Sequence, residues 1–301
     1  MSFNLEYRPA SFEQVAGNKG TISSLQSILK QEKCPHILLF SGPSGCGKTT
    51  LARITAKELQ CSEHDVIEIN SANNRGIDTA RDIIQQMYYK PLHGPVKVYI
   101  LDEVHQTSKD FQNAMLKALE EPPAHVYFML CTTEPEKLIA TIRNRATMFT
   151  VEKLDEQKII RLLWSISKNE GNEIDKTILA EIASESEGSP RQAVIMLQKI
   201  IGLTTEEEMK EAIQAIKINE KNTIDLCRAL LKGASWKSIA AILKLIQDDP
   251  EKVRRAVLGY MSAVLLNSGE ERAAMIIECF ADNYYNSGKA GLIFSCFSVI
   301  S

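Results

Sequence analysis

Gly42 to Thr50 read GPSGCGKTT, directly after the apolar run HILLF (His36 to Phe40) and at the head of a stretch with helical spacing of apolar residues. Gly42, Gly47, Lys48 and Thr49 match G-x-x-x-x-G-K-[ST] in the strand-then-helix setting this pattern requires. A glycine-rich turn at a helix head aims backbone N–H groups and the positive end of the helix dipole at an anion. The amides of Gly45, Cys46, Gly47, Lys48 and Thr49 are therefore expected to wrap a β-phosphate, with Pro43, Ser44 and Thr50 completing the loop. Lys48 is expected to neutralise β/γ oxygens and Thr49 to ligate magnesium.

Downstream, VKVYILDEVH (Val96 to His105) is an apolar run ending in adjacent carboxylates. In a parallel sheet such a strand end meets the phosphate loop, so Asp102 is expected to hold Mg2+ and Glu103 to polarise the attacking water. His105 reads as a structural or hydrogen-bonding residue, because phosphoryl transfer to water does not need it.

The rest of the first half alternates short β-rich runs with helical stretches, the mark of a parallel sheet covered by helices. Strands are expected at His36 to Phe40, Val66 to Asn70, Val96 to Asp102, Val126 to Thr132 and Thr147 to Val151, all buried on both faces. Helices are expected at Lys48 to Leu59, Ile77 to Tyr88 and Lys109 to Leu119. After Val151 the pattern is helical throughout. Asp155 to Asn169, Asp175 to Glu185 and Pro190 to Ile201 form a three-helix unit, with Asp155 and Ser189 as N-caps. A turn at Gly202 to Thr204 leads to further helices, with breaks expected near Lys217 to Asn219, Gly233 to Ser235, Asp248 to Pro250 and Asn286 to Gly291.

With 301 residues and 44% hydrophobic content the chain has ample core for two or three domains, and a formal charge of -3 points to no particular partner. No apolar run approaches the roughly 20 residues that span a bilayer, and the first residues lack a signal-peptide pattern, so a cytoplasmic protein with no membrane partner is expected. The seven cysteines contain no C-x-x-C pair, which argues against a zinc knuckle or redox pair.

Eight segments in order, EYRPASFEQVAGN, GPSGCGKTT, SANNRGIDTARD, YILDEVHQTS, QNAMLKALEEPP, CTTEPEKL, IRNR and GSPRQAV, resemble the AAA+ ATPase subunits of sliding-clamp loaders. The likeness is first to bacterial gamma/tau subunits, then to the small subunits of replication factor C and to phage loaders. It covers residues 1 to about 203; the remainder resembles the family's collar only in length and helical character. It implies an α/β P-loop NTPase (AAA+) domain over residues 1–152, a three-helix lid over 153–203 and an all-helical collar over 204–301. Tyr7, Arg8, Pro9 and Val15 fall where the family walls adenine and ribose. Thr133 falls at the sensor-1 position, Arg191 at the sensor-2 position reaching the nucleotide of its own subunit, and Arg145 at the finger that reaches a neighbour's ATP. The family has Ser-Arg-Cys there, whereas Asn144 and Ala146 flank Arg145 in this chain, and Arg143 stands as an alternative finger.

The resemblance also places Asn74, Arg75, Gly76 and Ile77, with Lys109 and Lys117, toward a DNA backbone, and Met87, Tyr88 and Tyr89 toward a clamp. The four-cysteine zinc module of bacterial relatives is missing, since Cys61 runs directly on to Ser62 and Glu63. The expected function is an ATP-driven motor, working with Mg2+ in a pentamer of this chain, with or without other loader subunits, that opens a sliding clamp and loads it on primer-template DNA. Two rivals are a branch-migration or helicase-loading AAA+ ATPase, disfavoured by a helical tail that is not basic, and a non-hydrolysing ATP-binding scaffold, disfavoured by the full set of Lys48, Thr49, Asp102, Glu103 and Arg145.

Overall fold

A computed structural model describes residues 2–284 and 287–300, with the side chains of 214–220 outside that description. The chain divides into two compact units, Met1–Leu203 and Thr204–Ser301.

The first unit is built on five parallel strands, β1 (Ile37–Ser41), β2 (Val66–Asn70), β3 (Lys97–Asp102), β4 (Val126–Thr132) and β5 (Thr147–Thr150), in the order β2-β3-β4-β1-β5. Parallel neighbours need long crossovers, and helices provide them. The helices are α1 (Phe3–Glu6), α2 (Lys19–Leu29), α3 (Lys48–Glu58), α4 (Ile77–Gln86), α5 (Lys109–Glu120) and α6 (Ala140–Arg145). Alternate residues of the central strands feed two cores, one on each face. Leu39, Tyr99, Leu101, Phe128 and Leu130 pack with Ile83, Phe111, Met115 and Ile142 from α4, α5 and α6. Leu38, Phe40, Val98, Ile100, Met129 and Cys131 pack with Leu25, Leu51 and Ile54 from α2 and α3. Burying each large apolar side chain contributes about 1.5–3 kcal/mol, so this sandwich fixes the level of every strand end.

Burial on both faces holds for the three central strands only. The outer strands β2 and β5 are partly exposed because each has a single neighbour. Helix α2 has no counterpart in the sequence reading: Gly20 and three serines dilute its apolar pattern, while Thr21 bonds the Thr150 carbonyl and Asn18 bonds the backbone of Glu152.

The same unit continues into α7 (Glu156–Asn169), α8 (Lys176–Glu185) and α9 (Pro190–Ile200). Asp155 accepts from Lys158 N–H and Ser189 from Gln192 N–H, as N-caps do, with Pro190 in the first turn.

The second unit contains α10 (Glu206–Leu231), α11 (Trp236–Leu245), α12 (Pro250–Ser268), α13 (Glu271–Cys279) and α14 (Gly288–Ser298). The break expected at Lys217 to Asn219 is absent, since α10 runs straight through it. An interior asparagine weakens a helix by only roughly 0.7 kcal/mol, and the Thr205/Glu208 capping box anchors the start. A break instead occurs at Gly269, which closes α12 in the left-handed region. Of the break expected near Asn286 to Gly291, Asn286 lies outside the described residues, Ser287 is a turn ahead of α14, and Lys289 to Gly291 fall within that helix. Among the described residues no helix is long and apolar enough to cross a membrane.

Glu251 knits the second unit together. Its carboxylate accepts Arg254 Nε at 2.9 Å and Nη2 at 2.7 Å, Arg255 Nε at 3.3 Å and Tyr284 N–H at 2.9 Å, while Arg254 Nη1 donates to the Phe280 carbonyl at the end of α13. The Arg254 hydrogen bonds and the Tyr284 amide hold this carboxyl down to about 2, from an ordinary value of 4.5. A depressed carboxyl stabilises the fold above its unfolded pKa and loses that contribution as pH falls toward the folded value. Glu251→Gln is expected to lower the thermal midpoint of unfolding at pH 7 by at least roughly 5 °C. The gap from the parent should narrow between pH 4.5 and 2, which a pH series of melting curves checks.

Candidate nucleotide-binding site

The loop from β1 to α3 is shaped by contacts that exclude side chains. A Cβ on Gly42 would lie 2.0 Å from the Val151 carbonyl oxygen, and one on Gly45, at φ +74°, would lie 2.3 Å from Ser189 Oγ. Gly47 caps α3 with no side-chain acceptor, so the first amides of that helix remain available to a ligand. Lys48 is 5% exposed and folds back over the loop, donating to the carbonyls of Gly42 at 2.8 Å and Pro43 at 2.9 Å. Cys46 is buried, and that burial pushes its thiol above the ordinary value.

Thr49 Oγ1 donates to Asp102 Oδ2 at 3.0 Å, which brings a hydroxyl and a carboxylate oxygen together at the level of the loop. Two such oxygen donors fit a hard divalent cation such as Mg2+. Asp102 Oδ1 accepts the Glu103 N–H at 3.1 Å, and Glu103 adopts φ +51°, a conformation that strains a non-glycine residue. Glu103 Oε2 is buried without a hydrogen-bond partner. An unsatisfied carboxylate oxygen beside Asp102 suits a group awaiting water.

The N-terminal segment and the helices after β5 complete a cleft of about 130 Å³ next to this corner. Tyr7, Arg8, Pro9 and Val15 line it, as do Gly45, Cys46, Gly47, Thr50 and Arg191. Arg8 Nε donates to Thr50 Oγ1 at 3.1 Å, and burial followed by the nearby Arg53 lowers its pKa. The Tyr7 hydroxyl donates to Glu170, which pushes the phenol up to about 12, and Phe3 N–H donates to Gln198 Oε1 at 3.1 Å. Arg191, in the first turn of α9, lines both this cleft and the smaller phosphate-side cavity that holds Ser44, Lys48, Thr49, Asp102 and Glu103.

Phe3, Leu154, Leu162, Pro190 and Val194 also wall the cleft. None of them stands out in the sequence as a site residue: Pro190 and Val194 read only as a helix start and part of GSPRQAV, and Phe3, Leu154 and Leu162 as ordinary apolar positions. Thr133 lines neither cavity; its neighbour Thr132 is fully buried and accepts Glu134 N–H at 3.0 Å.

Arg145 lies at the end of α6, outside both cavities, with Nη2 2.7 Å from Glu120 Oε1 and Nη1 3.3 Å from the Thr141 carbonyl. Arg143 is exposed. Asn74, Arg75 and Gly76 are exposed ahead of α4, where Ile77 begins the helix, and Ser108 N–H donates to the Arg75 carbonyl at 3.0 Å, placing this segment beside the start of α5 at Lys109. Lys117 lies about two turns further along α5 and is also exposed. Tyr88 and Tyr89 are exposed, whereas Met87 is buried.

With this geometry established, similarity to known proteins is decisive. The DNA polymerase III subunit gamma of Buchnera aphidicola subsp. Schizaphis graminum is 34% identical over 263 residues, covering 80% of this chain and 72% of that one. The chain belongs to the gamma/tau family of DNA polymerase III subunits. The subunit tau of Bacillus subtilis is 33% identical over 288 residues, covering 86% of this chain and 51% of its own length, and that of Escherichia coli is 32% identical over 260 residues, covering 79% and 40%. This chain thus spans about half or less of the longer tau relatives. Two family profiles match in part: "DNA polymerase III, delta subunit" over residues 63–155 and "Rad17 P-loop domain" over residues 3–101. The fold is also that of the Thermotoga maritima RuvB Holliday junction branch migration motor, with a TM-score of 0.61 and 19% identity over 79% of this chain and 85% of that one. The α/β unit is a P-loop nucleotide-binding fold of the AAA+ class.

Gly45→Ala is expected to weaken ATP binding at least tenfold, because the added methyl meets Ser189 and the backbone is left-handed there. Fluorescent-nucleotide titration checks this, with the unfolding midpoint as the control for folding.

Proposed function

We propose that this chain is the ATP-driven motor subunit of a sliding-clamp loader, and that ATP binding assembles a ring-like pentamer that opens the clamp and accepts primer-template DNA. The observation that carries the reading is the convergence of Lys48, Thr49, Asp102 and Glu103 at one sheet edge while Arg145 stands outside both cavities of its own chain. A site with its own loop, acids and lid but no finger is one that a neighbouring subunit completes.

In this reading the amides at the head of α3 and the Lys48 ammonium hold the phosphates, and Tyr7, Arg8, Pro9 and Val15 face the base and ribose. Mg2+, held through Thr49 and Asp102, neutralises phosphate charge when bound. Glu103 orients a water for in-line attack on the γ-phosphorus, and the bond to the β,γ-bridging oxygen breaks to give ADP and phosphate. Thr133 senses the γ-phosphate, and Arg191 reaches the nucleotide from α9. Arg145 of one subunit meets the charge that develops on its neighbour's phosphates, a contribution of about 10³ to 10⁵ in rate for such fingers. Hydrolysis then releases clamp and DNA.

The proposed division is an AAA+ domain at 1–152, a lid at 153–203 and a collar at 204–301 that joins subunits. It is supported by the loss of strands after β5 and by the separation of compact units at Leu203 and Thr204. Asn74, Arg75, Gly76, Ile77, Lys109 and Lys117 are proposed to contact the DNA backbone, which positions a duplex without reading its sequence. Action on replicating DNA would place the protein in a bacterial cytoplasm.

Arg145→Ala is expected to leave ATP affinity within about twofold while reducing clamp- and DNA-stimulated turnover at least a hundredfold. Steady-state ATPase assays with and without clamp and primed DNA check this; unchanged stimulation would move the role to Arg143 or away from this loop.

A further inference from the structure

His105 occupies the short turn after Glu103, with a side chain only 7% exposed between two carboxylates. Its Nδ1 lies 3.0 Å from Thr132 Oγ1 and 3.4 Å from Glu103 Oε2, and its Nε2 lies 3.4 Å from Glu134 Oε1. Lys137 Nζ holds the other Glu134 oxygen at 2.8 Å, and Glu134 N–H donates to Thr132 Oγ1 at 3.0 Å. Both ring nitrogens are thus engaged, and Nδ1 faces Glu103, which lines the phosphate-side cavity.

We propose that His105 is a positioning residue that couples the carboxylate of Glu103 to the segment Thr132 to Glu134. The argument turns on one proton. A neutral imidazole donates from one nitrogen and accepts at the other, and the hydrogen bond at one nitrogen selects the tautomer at the other. With the proton on Nε2, the ring faces the Glu134 carboxylate as a donor, and Nδ1 accepts the Thr132 hydroxyl. Glu103 Oε2 then has no donor, matching its unsatisfied state, and is free to turn toward water. With the proton on Nδ1, the donor points to Thr132 Oγ1 and Glu103 Oε2, and the carboxylate is restrained. Displacing Glu134 from Nε2 removes the acceptor that favours the first arrangement.

Thr133 lies inside the same segment, so any ligand contact that shifts this loop also shifts Glu134. If Thr133 senses the γ-phosphate as proposed, its contact would reach Glu103 by this route without touching it. A histidine that merely fills space would not need a carboxylate at each nitrogen, nor would it leave a buried carboxylate oxygen orphaned beside it.

This inference rests on the role of Glu103 in orienting water, so Glu103→Gln is the control. If that variant retains turnover, the assignment of Glu103 fails. If it is inactive while Glu134→Gln and His105→Asn both keep kcat within twofold of the parent, only the positioning role fails. With the full chain, clamp and primed DNA, Glu134→Gln, which weakens the acceptor at Nε2 and so favours the proton on Nδ1, is expected to lower kcat about tenfold, with KM for ATP within about twofold and an unchanged unfolding midpoint. His105→Asn, whose amide can donate to Glu103 from near the place of Nδ1, should lower kcat likewise. His105→Ala removes the link between the two carboxylates, so Glu134→Gln should cause no further loss in that background. A Glu134→Gln loss that persists in the His105→Ala background, or one that tracks a fall in unfolding midpoint or ATP affinity across the series, would overturn the proposal.

Discussion

The 3.0 Å hydrogen bond from Thr49 to Asp102 is the contact on which the site depends, because Thr49 follows β1 and Asp102 ends β3, strands that are not neighbours. β4 lies between β1 and β3, and its register sets both ends: Ser41 pairs with Thr132 and Leu101 with Leu130. Slipping either pairing by one residue would carry Asp102 away from the loop and turn each strand's apolar residues to the wrong face. The two apolar cores are thus what hold a hydroxyl and a carboxylate at one level, and the phosphate loop inherits its position from side chains that never meet a ligand.

A second dependence runs through close approach. The loop glycines allow Val151 and Ser189 to crowd the turn, so the segment after β5 and the head of α9 form part of its wall. Arg191 enters from the same helix head, while α1 is bonded to α9 through Gln198 and Tyr7 to the end of α7 through Glu170. In the proposed reading, a base held against Tyr7 would rest on a segment tied to α7 and α9, so a nucleotide would act on these helices through contacts they already make with the nucleotide-binding core.

The features most legible in the amino-acid order are those with local causes. The loop pattern, the Asp-Glu pair after an apolar strand, and the caps at Asp155 and Ser189 each follow from a few adjacent residues. What escaped notice is set by tertiary context. Leu154, Leu162 and Val194 become cavity walls only because α7 and α9 fold over the loop, and α2 is secured by bonds to β5 that its serine-rich sequence does not announce. The contacts of His105 fall between these cases, since its neighbour Glu103 is adjacent in sequence but Thr132 and Glu134 arrive from another strand end. Likewise the continuity of α10 through Asn219 reflects a capped start and a helical run that one weak residue does not interrupt.

The central claim is that the turn between β1 and α3 grips a triphosphate through Lys48 and the helix-head amides. Calorimetric titration of the full chain with ATP and Mg2+, run in parallel on Lys48→Ala, tests it most directly. The account predicts one saturable site per chain in the parent and no measurable heat in the variant. Equal affinity and stoichiometry in the two proteins would contradict it.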